Sequence, residues 1–232
     1  MDIPTRTREL RTRATPARQM VVERFSGLPA WVVLTQLFIG FGWLRAATEK
    51  LIDPAWWRGD VLEEFVDTHG DMTVGWYEPF LDAAVLPNAV LVGVIVVVAQ
   101  LVAGISLVTG RRLTVGIAVG MFLNLHFMAA GAVTPSAFYL LAQGALALWL
   151  CERAPNRASA AALRASAAGA TFVAGLSIPF ISTLHPAEVI EDPAVMLSFG
   201  GALAALGCVL AAGSANALGG RPHLIERRQP PR

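Results

Sequence analysis

The feature that most constrains this chain is a series of long apolar segments separated by shorter charged ones. Several of the segments hold roughly 17–22 residues, the helical length that crosses about 30 Å of bilayer hydrocarbon. Only 15% of the 232 residues are charged and 55% are hydrophobic, whereas soluble domains usually carry about 25% charged residues. The sequence therefore predicts an all-α, polytopic membrane protein.

The apolar segments predict six membrane spans. The fourth is short, but it can begin earlier, at Pro135 and Ser136, because proline is tolerated in the first helical turn. The fifth is rich in Ala and Gly and is only weakly hydrophobic. The predicted spans are approximately 28–47, 86–109, 113–130, 137–151, 165–184 and 194–215.

The charged residues orient these spans. Arginines are concentrated in an N-terminal tail at 1–27, in the loops after the second and fourth spans, and in a C-terminal tail at 217–232. Acidic residues are concentrated in the loops after the first and fifth spans. Because cytoplasmic loops are enriched in Lys and Arg, this pattern favours a multi-pass protein of the bacterial plasma membrane with both termini in the cytoplasm.

The long connection at 51–85 is expected on the outer membrane face. Its apolar residues Val61, Leu62, Phe65 and Val66 recur at helical spacing, which predicts one or two amphipathic pieces. The aromatic residues Trp56, Trp57, Trp76 and Tyr77 are typical of interfacial anchors. The segment is either a simple anchored loop or a lid over a site.

Polar side chains interrupt the first four spans at similar depths. A helix rises about 1.5 Å per residue, so those on spans one, three and four lie from the midplane into the outer half of the bilayer, and span two reaches the midplane. Polar residues at such depths usually face a bundle interior or a wet cavity. The candidate site residues are Arg45, Glu49, Lys50, Gln100, Asn124, His126, Tyr139 and Gln143.

Helical spacing limits how these residues combine. Arg45 and Glu49 lie one turn apart and can form an ion pair. Asn124 and His126 lie about 200° apart around a helix, so one of them faces a neighbouring helix instead of a shared site. Structural roles stay open for all of them: the glutamines as interhelical hydrogen-bond partners, the ion pair as a helix-end cap, and His126 as a packing residue.

The first four spans contain segments that resemble the DoxX/DoxD superfamily. The first span ends in Lys50-Leu51-Ile52-Asp53, similar to a Lys-Leu-x-Asp pattern of that family. The second is similar to a polar–hydrophobic–Gly segment closed by a Gly–Arg turn, and Thr134-Pro135-Ser136 with Phe138-Tyr139-Leu140 resembles the "NPSxFYL" region of DoxD. The resemblance covers residues 30–152, within a predicted four-helix domain at 28–152.

This resemblance implies a four-helix membrane bundle and a link to redox enzymes, since DoxD is a subunit of a thiosulfate:quinone oxidoreductase. The chain departs from the family in having Gln100 where many members have an acidic residue, and Thr134 where DoxD-like proteins often have Asn. The two additional helices at 153–216 lie outside the resemblance.

The leading hypothesis is an integral membrane subunit that docks a quinone and acts with a soluble oxidoreductase. His126, Tyr139 and Glu49 are then the catalytic candidates, with His126 or Tyr139 bonding a carbonyl and relaying a proton. Cofactor-binding candidates are Arg45, Lys50, Asn124, Gln100 and Gln143.

Two alternatives belong to other functional classes. The chain has no CxxC motif and no nucleotide fingerprint, which favours a non-enzymatic scaffold that recruits oxidoreductase partners or copies of itself. A small transporter ranks last, because the two halves show no internal repeat. The dispersed histidines argue against a zinc site, and nothing in the sequence indicates a nucleic-acid partner.

Overall fold

A computed structural model describes residue 25 and residues 27–153, 157–185 and 188–219. Most of the two predicted tails, 1–27 and 217–232, therefore lies outside the described residues. The described part is helical and contains no strand. Its principal helices are α1 (Ala30–Ile52), α2 (Asp60–His69), α3 (Ala89–Thr109), α4 (Leu113–Ala129), α5 (Val133–Arg153), α6 (Arg157–Ser177) and α7 (Pro193–Gly219).

The all-α, multi-pass membrane architecture is confirmed. Five helical segments are long and apolar enough to cross a bilayer: Ala30–Ile52, Glu78–Thr109, Val133–Arg153, Ala160–Phe180 and Pro193–Gly213. The remaining predicted span, the third in the chain, is α4, which has 17 residues and is at the short end of the usual range. Large apolar side chains are exposed around the helices, Leu34 and Leu141 at 72% and 76%, as expected of surfaces that face lipid.

Several predicted span boundaries differ from the structure, and the fifth span, predicted at 165–184, is formed by Ala160–Phe180. Helical structure before α3 begins at Glu78, in the short pieces Glu78–Phe80, Leu81–Val85 and Leu86–Asn88. Pro87 interrupts the regular hydrogen-bond ladder there, because it has no N–H to donate. α1 continues past the predicted end at residue 47 to Ile52, so Glu49 and Lys50 belong to its last turn.

Helices α1, α3, α4 and α5 form a four-helix bundle. α1 packs along α3, α3 along α4 and α4 along α5, and a less extensive contact between α1 and α5 closes the ring. Apolar residues such as Ile39, Leu107 and Leu146 have no exposed surface and pack in the centre, beside buried amide side chains of the same helices. Gly116 allows the close approach of α4 to α3, since a Cβ there would lie 2.6 Å from the Cβ of Ser106.

The connection at 53–88, here called the cap, covers one end of the bundle. The predicted amphipathic helix is present as α2, and Leu62, Phe65 and Val66 pack against a buried cluster at the ends of α4 and α5. The interpretation of all four aromatic residues as interfacial anchors is wrong for Trp56 and Tyr77. Both are buried, and the Trp56 indole donates to the carbonyl of Gly93 at 3.2 Å.

Helices α6 and α7 form a hairpin that supports the cap. α6 packs along α7, and α7 contacts α5 and α4. Ala194 and Leu197 of α7 join the buried cluster beneath the cap, and the Trp76 indole donates to the Ser177 hydroxyl at 3.2 Å. The two helices outside the family resemblance therefore hold the cap against the four-helix bundle.

Asp192 fixes the start of α7. Its Oδ1 accepts the backbone N–H groups of Ala194 and Val195, at 2.8 and 3.1 Å, as a helix N-cap. Its Oδ2 accepts the N–H and the hydroxyl of Ser182 and the N–H of Thr183. Burial acts to raise the pKa of Asp192, but these hydrogen bonds outweigh it and hold the pKa below its ordinary value.

Candidate functional site

A cavity of about 270 Å³ opens at the cap end of the four-helix bundle, where α1 ends and α5 begins. All four bundle helices contribute to its walls, and the turn before α5 adds Ala132. Its lining residues are Gly42, Trp43, Arg45, Ala46, Glu49, Lys50, Gln100, Asn124, Phe127, Ala132, Pro135, Ser136 and Tyr139.

The structure brings six of the eight candidate site residues to this cavity. They are Arg45, Glu49, Lys50, Gln100, Asn124 and Tyr139. Their separation in sequence is bridged by the bundle, because α1, α3, α4 and α5 reach the same depth from different directions. A seventh candidate, Gln143, does not line the cavity but accepts a hydrogen bond from the lining residue Asn124.

The charged residues lie at the cavity mouth. The predicted ion pair is present, with Arg45 Nη2 2.7 Å from Glu49 Oε1, and both side chains are largely exposed. Because an exposed ion pair contributes little to stability, the position of this pair at the cavity mouth matters more here than its strength. Lys50 Nζ lies 4.8 Å from the centre of the Trp56 ring and forms no salt bridge with the described carboxylates. The lining residues thus carry two positive charges and one negative charge.

The floor of the cavity is polar and almost fully buried. Asn124 is 1% exposed, and its Nδ2 donates to the carbonyl of Gly120 at 2.9 Å and to Gln143 Oε1 at 3.1 Å. Gly120 permits this arrangement, because a Cβ there would collide with the Gln143 amide. Gly120 therefore makes room for the polar side chain of Gln143 beneath the cavity.

Several buried polar atoms near the floor have no hydrogen-bond partner among the described residues. They are Gln100 Oε1, Trp43 Nε1 and Gln143 Nε2. An unpaired buried polar group costs roughly 1–3 kcal/mol, so three of them around one cavity are unusual. Trp43 and Gln100 also line the cavity, where a bound molecule would offer them partners.

Tyr139 forms one aromatic wall. Its ring stacks on that of Trp43, with centroids 5.7 Å apart and an interplanar angle of 25°. Its hydroxyl packs against Gly42, at a place that any larger residue would fill. The ring of Phe127, which also lines the cavity, has its centroid 6.4 Å from that of the Trp43 ring. A flat ring entering the cavity would meet aromatic faces here.

His126 does not line the cavity. Its Nδ1 lies 2.6 Å from the Tyr77 hydroxyl of the cap, and its ring contacts Phe80 and Phe122. The predicted divergence of Asn124 and His126 is confirmed: Asn124 faces the bundle interior and His126 faces the cap. The structure thus separates His126 from the other candidate residues.

Sequence reasoning missed two lining residues whose side chains carry hydrogen-bonding groups, Trp43 and Ser136. Trp43 was hidden within an apolar segment, and its indole N–H is a donor that only the fold reveals as unpaired. Ser136 is 2% exposed and was noted only as part of the Pro-Ser pattern at the start of α5. Because serine is common at helix starts, its type alone gave no signal of a site.

Fold and site together define a multi-pass helical membrane protein with a polar cavity at one end of a four-helix bundle. Comparison of the chain with protein-family models, curated proteins and solved structures gives no match.

Proposed function

We propose that this protein is an integral membrane subunit of a quinone-linked redox system, similar to a thiosulfate:quinone oxidoreductase subunit, and that the cavity binds the quinone head group. The observation that carries the proposal is the cavity itself. It lies within the membrane-spanning bundle and combines aromatic walls with buried hydrogen-bonding groups that lack partners.

The lining chemistry suits a flat ring that carries oxygen atoms. Trp43, Phe127 and Tyr139 offer aromatic surface, and Gln100, Asn124 and Ser136 offer polar groups at the floor. Binding sites for small molecules are typically apolar, with a few convergent polar groups that fix orientation. The volume of about 270 Å³ accommodates a single substituted ring and leaves a long apolar tail outside, in the lipid.

The seam between α1 and α5 is the proposed route of entry. These helices contact each other less extensively than α1 contacts α3, and Ala46 places only a small side chain beside the cavity. A lipid-soluble ligand would reach the cavity sideways from the bilayer through this seam. The Arg45–Glu49 pair and Lys50 would lie at the level of the lipid head groups.

The proposal places the protein in the bacterial plasma membrane with both termini in the cytoplasm. Its support is the arginine-rich composition of residues 1–27 and 217–232, together with the acidic residues of the cap. The cavity would then open in the outer half of the bilayer. No dithiol motif is present, so electrons would be exchanged with the quinone by a soluble oxidoreductase partner.

Binding of a short-chain quinone to the protein in lipid nanodiscs tests this function. Ala46→Trp would fill the cavity from α1 and should abolish binding. Leu34→Trp is the matched control, because Leu34 lies on the same helix and is 72% exposed, facing lipid. Equal binding by both variants would show that the quinone binds elsewhere, and the absence of binding by the unsubstituted protein would refute the function.

A non-enzymatic scaffold is the second candidate, and one observation favours it. The cap has a group of exposed carboxylates on α2 and directly after it. They are Asp60, Glu63, Glu64, Asp67 and Asp71. Such a surface suits a basic partner protein. Copurification of a stoichiometric partner by a protein that binds no quinone would favour the scaffold, because its role would not need the cavity.

A further inference from the structure

The hydrogen bonds that Asn124 already makes determine which of its amide atoms can still bind a ligand. Its Nδ2 carries two hydrogens, and both are taken, by the Gly120 carbonyl at 2.9 Å and by Gln143 Oε1 at 3.1 Å. A backbone carbonyl can only accept, so the first bond fixes which end of the amide is the NH₂ group. Asn124 therefore has only an acceptor, Oδ1, to offer an occupant of the cavity.

None of the other floor groups is hydrogen-bonded to Asn124 Oδ1 among the described residues. The Trp43 indole has a single N–H, which is a donor without a partner, but it needs an acceptor for itself. Gln100 Oε1 has no hydrogen-bond partner among the described residues, and a glutamine amide carries both an acceptor oxygen and a donor NH₂ group. Ser136 has a hydroxyl that donates or accepts. The floor thus has one acceptor-only group, one donor-only group and two that serve either purpose.

A quinone and its quinol differ in the hydrogen bonds that they can form with these floor groups. The oxidised ring carries carbonyl oxygens, which accept but cannot donate, so it can pair with Trp43 and leaves Asn124 Oδ1 unpaired. The reduced ring carries hydroxyls, which can donate to Asn124 and also accept from Trp43. An acceptor left unpaired in a buried site is costly.

We infer that the cavity binds the reduced, hydroxyl-bearing form of its ligand more tightly than the oxidised form, with Asn124 Oδ1 accepting the hydroxyl hydrogen. Gln143 is the positioning residue, because its Oε1 holds the second amide hydrogen of Asn124 and so directs Oδ1. This inference rests on the proposed function. It has a redox consequence: each tenfold preference for the reduced form raises the two-electron midpoint potential of the bound couple by about 30 mV.

The test compares three ligands on the full-length protein in nanodiscs under anaerobic conditions. They are a short-chain benzoquinone, its hydroquinone, and the dimethyl ether of that hydroquinone, which keeps the oxygens and lacks the donors. We expect a Kd for the hydroquinone roughly tenfold below the other two, from the cost of one unpaired buried acceptor. Hydroquinone binding no tighter than that of the ether would overturn the inference.

Two substitutions assign the preference to its residues. Asn124→Leu removes the acceptor, and Gln143→Met frees the second Nδ2 hydrogen of Asn124, which can then donate to a quinone carbonyl. Each should bring the hydroquinone and quinone affinities together. Gln36→Met is the matched control, since Gln36 is also a buried glutamine but does not line the cavity, and it should keep the preference. If Asn124→Leu does not fold, Gln143→Met still decides, because a purely structural role for Gln143 would leave the affinity ratio unchanged.

The outcomes separate this inference from the proposed function. If the quinone binds and the hydroquinone binds equally or more weakly, the quinone site stands and the preference does not. If none of the three ligands binds, the proposed function fails and takes the inference with it. A tenfold preference that persists in both Asn124→Leu and Gln143→Met would overturn the assignment to Asn124.

Discussion

The Tyr77 hydroxyl and His126 Nδ1 lie 2.6 Å apart and join the cap to α4 by a hydrogen bond. Tyr77 is 6% exposed and belongs to the buried cluster beneath the cap. Burial raises the pKa of Tyr77 above its ordinary value, so the phenol stays protonated at neutral pH, and the tautomer of His126 sets which of the two groups donates. The bond therefore holds the cap on the face of α4 that points away from the cavity.

Tyr77→Phe should loosen the cap without affecting the cavity. It removes the hydroxyl and keeps the packed ring, so we expect the free energy of unfolding to fall by about 0.5–1.5 kcal/mol. Thermal unfolding and amide hydrogen exchange across residues 70–85 would measure the change, while quinone affinity should stay the same. If the loss of stability is as large in a His126→Ala background, the bond to His126 is not its source.

Asp192 should make the stability of the protein sensitive to acid. Its pKa is lowered from the ordinary 3.8 in the folded state, so the unfolded chain takes up its proton first as the pH falls. The stabilisation is present above pH 3.8 and is lost as the pH falls through the lower folded value. Asp192→Asn should flatten this part of the stability curve and, by weakening the N-cap, cost about 0.5–2 kcal/mol at neutral pH. Melting curves of both proteins from neutral pH downwards would check this, and parallel curves would contradict it.

Gly120→Ala and Gly144→Ala should have opposite effects, although both glycines lie in bundle helices. A Cβ at Gly120 would collide with the Gln143 amide, whereas a Cβ at Gly144 has no atom within 4 Å. We expect Gly120→Ala to destabilise the protein by about 1–3 kcal/mol and Gly144→Ala to be neutral or slightly stabilising. Melting temperatures in detergent provide the comparison, and equal effects would show that Gly120 is not tightly packed.

The Arg45–Glu49 pair should matter little for stability. Its side chains are 80% and 56% exposed, and exposed pairs typically contribute about 0–1 kcal/mol. Glu49→Gln should therefore shift the melting temperature only slightly. A large loss of stability would mean that a partner protein or a second copy of the chain shields the pair from solvent. Comparing what copurifies with the unsubstituted protein and with Glu49→Gln would then identify the shielding molecule.

The membrane fold and the depth of the polar residues could be predicted from the sequence, because apolar length and helical rise are local properties. Depth was enough to group Arg45, Gln100 and Tyr139, which do line one cavity. Direction around the helix axis was harder to use. The 200° separation of Asn124 and His126 predicted that they diverge, but only the packing of α4 against α5 and the cap decides which of them faces inward.

Partners distant in sequence were beyond sequence reasoning. Tyr77 meets His126 across 49 positions, and Trp76 meets Ser177 across 101. Both contacts depend on how the cap folds back over the bundle. The same holds for Trp43, since an unpaired indole N–H is defined by what surrounds it and not by its neighbours in the chain.

The measurement that tests the central claim most directly is native mass spectrometry of the protein purified in lipids from its own membranes. Three forms are compared: the unsubstituted protein, Ala46→Trp with its cavity filled, and His126→Ala with an intact cavity. We expect a quinone to be retained by the unsubstituted protein and by His126→Ala, and to be lost from Ala46→Trp. Retention of the quinone by Ala46→Trp, or its absence from the unsubstituted protein, would contradict a quinone site in this cavity.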